Sequence, residues 1–168
     1  VASDGLRDNL RYLHERLIDH GDTATTASGL VWNDKSHVLL FHIGNTRIWG
    51  MRNDYLIQMT KDQTKYEDMK YEGIDENNIP FLFRNVLNAC MGIKKDLIDS
   101  LIITDVTANV LQLSKIIITS DGIHDYVSID DLEASFKVYQ SEESLKHVVE
   151  EAIKAGSKDD LNVLVCEL

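Results

Sequence analysis

Two acidic segments carry the residues best suited to chemistry. In KIIITSDGIHDY, Asp121 follows an apolar run and precedes Gly122, so its carboxylate emerges where a strand ends and the backbone can turn sharply. In AGSKDDLNVLV, Asp159 and Asp160 lie between a helix stop and the start of a strand. Two such edges converging would supply hard oxygen ligands, which suit Mg²⁺ or Mn²⁺. Asp-Gly and Asp-Asp pairs are also ordinary turn chemistry, and the spacing admits both readings. His124, close after Asp121, can be read as a proton donor or ligand, or as a partly exposed loop histidine. Arg47 can be read as a bidentate phosphate binder, or as an outward strand arginine paired with a carboxylate.

The elements that must position these residues follow from periodicity. Leu6, Leu10, Leu13 and Leu17 fall on one face of a helix ending near His20-Gly21. From Thr25 to Thr60, short β-branched and aromatic runs alternate with turn formers at Asn33-Asp34, Gly44-Asn45 and Asn53-Asp54, which predicts an antiparallel meander. A short helix is expected around Tyr66 to Tyr71. A second is expected from Pro80, with Phe83, Val86, Leu87 and Cys90 as its apolar stripe. LIITDV, KIIITSDG and LNVLVCEL read as strands, KIIIT as one buried on both faces. Ser128 with Asp131 caps a helix to Phe136, and Ser141 caps a longer one that Gly156 stops. The order is α+β, with no regular β-α-β alternation, so a Rossmann or barrel fold is disfavoured.

Composition bounds the function. The chain has 168 residues with 17 Lys+Arg against 28 Asp+Glu, a formal charge of −11, and no basic face for nucleic acid. No apolar run approaches the roughly 20 residues that span a bilayer, and the expectation is a soluble, cytoplasmic protein forming a single domain over residues 1–168. Cys90 and Cys166 fit neither a disulfide framework nor a metal knuckle and read as buried free thiols. Trp32, Trp49 and the tyrosines read as packing residues, and the glutamates at 142, 143, 150 and 151 as a solvated helix face.

Five segments in order resemble the metal-dependent serine/threonine phosphatases of type 2C. ATTASGLVW is similar to the family's Gly-Thr-Thr strand opening, and FHIGNTRIWGMRNDYLIQMTKDQT to its Gly-Asp-Ser-Arg strand pair followed by Leu-Thr-x-Asp-His. RNVLNACMG resembles the Arg-x-Leu-Gly helix end, IIITSDGIHDYVSIDDL the Ser-Asp-Gly-Leu-x-Asp segment, and GSKDDLNVLV the Gly-Ser-x-Asp-Asn-x-Thr-Val segment. The resemblance implies a two-sheet β-sandwich flanked by helices, with two Mn²⁺ or Mg²⁺ ions at one end. It also implies hydrolysis of phosphoserine and phosphothreonine in proteins by in-line attack of a metal-bridging hydroxide, with no catalytic side chain beyond the metal-bound water. Asp121 and Asp159 match two carboxylates that ligate one ion.

The departures are informative. Asn45 stands where the family commonly has an aspartate associated with a third, accessory metal; Gln63 replaces a histidine, Ala24 a glycine and Asp160 an asparagine, the last serving the turn. The family's Arg-x-x-Asn-Glu-Asp and Asp-Gly-Met-Gly-Gly segments have no convincing counterpart, so the amino-terminal strands read as missing or degenerate. Asp4-Gly5 is either the remnant of that Asp-Gly pair, making both candidate metal ligands, or a helix cap before the first turn. A different class of function stays open beside the enzyme: a non-catalytic type 2C-like domain that binds or regulates a signalling partner.

Overall fold

The computed structural model describes residues 2–21, 23–33, 37–138 and 141–168. In chain order the elements are α1 (Ala2–His20), β1 (Ala24–Thr25), β2 (Ala27–Asn33), β3 (His37–Ile43), β4 (Arg47–Arg52), β5 (Tyr55–Gln58), α2 (Lys65–Tyr71), β6 (Met91–Gly92), β7 (Ile102–Asp105), α3 (Thr107–Val110), β8 (Lys115–Thr119), α4 (Asp121–His124), α5 (Ile129–Val138), α6 (Ser141–Lys154) and β9 (Val163–Glu167). Every strand pair among the described residues is antiparallel, but the single meander expected from Thr25 to Thr60 is split: β2 and β3 belong to one sheet and β4 and β5 to another, with no β3–β4 ladder among the described residues. The backbone packs into two compact units, residues 1–45 with 62–107, and residues 46–61 with 108–168.

The first unit contains α1, a three-stranded sheet ordered β2-β3-β7, and the short β1-β6 ladder. Leu10, Ile43, Ala89, Met91, Ile98 and Leu101 form its core, with Leu6 and Leu17 packed against them. Leu13, expected on the same stripe, is half exposed; the buried position beside it belongs to His14, whose Nδ1 accepts a hydrogen bond from the Gly92 amide at 3.0 Å. Gly92 has φ +86°, and a Cβ there would run into the carbonyl oxygen of Thr23, so only glycine fits.

The helix expected from Pro80 to Cys90 does not form. A 3₁₀ turn covers Phe81–Asn85, and the chain then extends, with the Val86 carbonyl accepting from Lys65 N at 2.9 Å and Asn88 N donating to the Gln63 carbonyl at 2.9 Å. The apolar spacing is compatible with a helix, but the backbone groups of residues 86–88 are taken by residues 63–65. Helix α2 forms where expected, with the Thr64 side chain accepting from Glu67 N as its cap.

The second unit is a four-stranded sheet ordered β5-β4-β8-β9, with α4, α5 and α6. Asn53 and Asp54, at φ 51° and 67°, make the two-residue turn that fixes the Arg52↔Tyr55 register of the β4–β5 hairpin. Trp49 and Met51 alternate with Ile48 and Gly50 along β4, and with Ile117 they meet Ile123, Val127, Leu132, Phe136, Val148 and Ala152 from the helices. Ser128 caps α5 reciprocally: its Oγ accepts from Asp131 N at 3.2 Å and donates to Asp131 Oδ2 at 2.7 Å. Gly156, at φ +94°, follows α6 as its expected stop. The side chain of Ser141, expected to cap α6, lies outside the described residues, as does Asp34 of the expected Asn33-Asp34 turn.

Several packing expectations are corrected. Cys90 is buried but Cys166 is exposed, because Cys166 alternates with the core-facing Val163 and Val165 along β9. Trp49 is 2% exposed, whereas Trp32 is 47% exposed on β2, an edge strand. Tyr66 is buried, while Tyr12, Tyr55 and Tyr71 lie on the surface. No described helix is long and apolar enough to cross a membrane.

Candidate functional site

Within the second unit, the two acidic segments converge. Strand β8 delivers Asp121 to the first turn of α4, and the connection from α6 to β9 carries Asp159 and Asp160. Ser120 N donates to the Asn162 carbonyl at 2.9 Å, Ser120 Oγ donates to the Asp160 carbonyl at 2.9 Å, and Asn162 N donates back to Ser120 Oγ at 3.0 Å. Ser157 Oγ adds a bond to the Gly122 carbonyl at 2.8 Å. Four hydrogen bonds therefore tie the loops together.

Gly122 makes the approach possible. A Cβ there would stand 2.6 Å from the Asp160 carbonyl oxygen and 3.3 Å from Cβ of Asp159. The two carboxylates are oriented alike, each accepting from the amide of its own next residue: Asp121 Oδ1 from Gly122 N at 3.0 Å, Asp159 Oδ1 from Asp160 N at 2.8 Å. Asp121 is half-buried and Asp159 exposed. The donors are hard anionic oxygens on adjoining loops, which fit a divalent cation such as Mn²⁺ or Mg²⁺. Among the described residues no group of three or more acidic, histidine or cysteine side chains gathers into a complete metal cage.

The other expected residues are placed as follows. His124 is buried at 6% exposure, not a partly exposed loop residue, because α4 turns its ring inward, with Nδ1 2.8 Å from the hydroxyl of Thr119. Arg47 lies beside the Trp49 ring, 5.7 Å from its centroid. Asp4 and Gly5, in the first unit, are exposed in the first turn of α1, so Asp4 sits inside the helix and not at a cap position. Asn45, also in the first unit, is buried just after Gly44. Gln63 has a structural use: Oε1 accepts from Gly44 N at 2.8 Å and Nε2 donates to the Ser100 carbonyl at 2.7 Å. The lacing hydroxyls of Ser120 and Ser157 are not among the expected site residues; the sequence signal that locates them is their position flanking Asp121 and Asp159.

No family model matches the chain, and no curated protein matches it by sequence. The fold, α+β with antiparallel sheets, is that of the bacterial PPM-type serine/threonine phosphatases. The serine/threonine phosphatase Stp1 from Staphylococcus aureus superposes with a TM-score of 0.81 at 20% identity, over 99% of this chain and 68% of that one. MsPP from Mycobacterium smegmatis, in complex with cacodylate, gives 0.76 at 19% identity, over 98% and 73%. The catalytic domain of PstP, in complex with two manganese ions, gives 0.71 at 20%, over 99% and 69%. At these identities the likeness is one of fold.

Proposed function

We propose that this chain carries a metal-dependent phosphoprotein phosphatase activity of the type 2C class, with phosphoserine and phosphothreonine in proteins as substrates. The observation that carries the reading is the convergence of the Asp121 and Asp159 loops across Gly122, on a fold shared with solved phosphatases. Asp121 and Asp159 would hold a divalent ion, Mn²⁺ or Mg²⁺; a pair of such ions, when bound, supplies an acidified water and neutralises charge on the phosphoryl oxygens.

What the chain's own residues do is hold and orient. The Gly122 and Asp160 amides fix the two carboxylates, and the Ser120 and Ser157 hydroxyls keep the loops at one separation. A pre-set separation matters because Mg²⁺ tolerates little departure from octahedral geometry. Asp160 contributes its backbone to the lacing and is not needed as a ligand. Asp4 complements the positive end of α1.

The test is Mn²⁺-dependent hydrolysis of an aryl phosphate and of a phosphothreonine peptide. Asp121→Asn is expected to abolish it while unfolding stays cooperative. Undiminished turnover in that variant overturns the ligand assignment, and a wild type inert at millimolar Mn²⁺ supports the partner-binding reading instead.

A further inference from the structure

Behind the carboxylate loops, in the same unit, runs a chain of three buried polar groups. The indole Nε1–H of Trp49 donates to the Thr119 hydroxyl at 2.9 Å, and that hydroxyl lies 2.8 Å from Nδ1 of His124. Exposures are 2%, 0% and 6%. Trp49 stands opposite Ile117 in the β4–β8 ladder, so it shares a sheet face with Thr119 and reaches it diagonally.

The direction of the bonds follows from the donor inventory. An indole nitrogen only donates, so the Thr119 oxygen accepts from Trp49. Among the described residues Trp49 and His124 are the partners of the Thr119 hydroxyl, so Nδ1 of His124 is assigned as the acceptor for its single proton. With the bond in that direction, Nδ1 of His124 carries no proton.

Position along the chain gives the bond its use. Thr119 is the last residue of β8 and His124 the last of α4, so their side-chain bond spans the segment Ser120-Asp121-Gly122. It runs parallel to the backbone bonds from Ile123 N and His124 N to the Ser120 carbonyl, at 3.0 and 3.2 Å. We propose that Thr119 and His124 are positioning residues for Asp121: hydrogen-bonded to each other and anchored on Trp49, they clamp the turn so that the Asp121 carboxylate is presented to a divalent cation. The inference rests on the metal reading above and assigns His124 a role other than ligand or proton donor.

The experiment compares Mn²⁺ affinity by titration calorimetry in the full chain and in Thr119→Val, Thr119→Ser, His124→Leu, His124→Asn and Asp121→Asn. Valine keeps the shape of threonine and removes both bonds; serine restores the hydroxyl. Asparagine places Oδ1 where Nδ1 was and accepts the same proton. Thr119→Val and His124→Leu are expected to weaken Mn²⁺ binding about 10- to 100-fold, the usual effect of losing an outer-shell partner, and Thr119→Ser and His124→Asn to recover most of it. Wild-type affinity in Thr119→Val overturns the clamp. Equal affinity in wild type and Asp121→Asn overturns the metal reading instead, and the clamp is then judged without metal. Its metal-free signature is faster amide exchange at Gly122 and Ile123 in Thr119→Val, restored in Thr119→Ser; unchanged exchange overturns it. Should Thr119→Val fail to fold, His124→Leu decides: wild-type Mn²⁺ affinity in that variant overturns the clamp.

Discussion

A Cβ on Gly122 would come within 2.6 Å of the carbonyl oxygen of Asp160. That oxygen belongs to the backbone of the opposite loop and accepts from Ser120, so it has little freedom to retreat. We predict that Gly122→Ala pushes the loops apart and costs about 1–3 kcal/mol, the range for overpacking. Urea midpoints measure the cost. Loss of the Mn²⁺-induced rise in melting temperature should accompany it, and a variant with an unchanged midpoint and metal response contradicts the prediction.

Asp159 and Asp160 are neighbours with different work. Asp159 offers its carboxylate, whereas Asp160 is used through its backbone. Asp159→Asn should therefore reduce the thermal stabilisation by Mn²⁺, a mass-action effect, and Asp160→Asn should leave it near wild type. Thermal scans across a metal titration give the answer; equal losses in both variants would show that the pair acts as one.

Much of the site was legible in the sequence because the signals are local. A strand ending in Asp121-Gly122 and a Gly156 stop before Asp159 each say where a carboxylate emerges, and Ser128 with Asp131 announces its helix in a few residues. The failures are non-local. Whether residues 80–90 coil or extend depends on residues 63–65, which take up the backbone of 86–88. Trp32 and Trp49 lie on similar runs, but one is on an edge strand and the other between two partners, and strand order is not written in either run. The Trp49–Thr119–His124 chain joins residues far apart in sequence, so spacing gave only a histidine near an aspartate.

Acid sensitivity has a nameable contributor in the first unit. The Thr107 hydroxyl and amide both donate to Asp105, with His37 nearby, and these hold the Asp105 carboxyl below the usual aspartate range. Because the folded value is depressed, the contribution is full above the unfolded value of about 3.9 and is lost as pH falls through the folded one. We predict that Asp105→Asn shows a shallower loss of urea midpoint between about pH 5 and pH 2. Parallel curves for variant and wild type would remove Asp105 from the account.

On the proposed phosphatase reading, the charge of −11 bears on substrate choice. A negative surface potential favours approach of positive chains and opposes negative ones. Phosphopeptides with neutral or basic flanks should show higher kcat/KM than acidic ones, with the gap narrowing as salt is raised. Equal values at low ionic strength count against a steering role.

The α5 cap is the simplest test of local stability. Ser128→Ala removes the reciprocal bonds with Asp131 and is expected to cost about 1 kcal/mol, read from urea midpoints, with Ser128→Thr close to wild type. An unchanged midpoint would mean that packing alone holds the helix.

The lacing by Ser120 joins residues 40 apart in the chain, and Ser157 reaches Gly122 across 35. Helices α5 and α6 lie in the intervening stretch. Closing so long a loop is entropically costly until the segment between has condensed. The lacing of the carboxylate loops therefore requires the intervening stretch to be in place, and a chain lacking residues 157–162 cannot form it. On the proposed metal reading, cation binding would report that this lacing has formed.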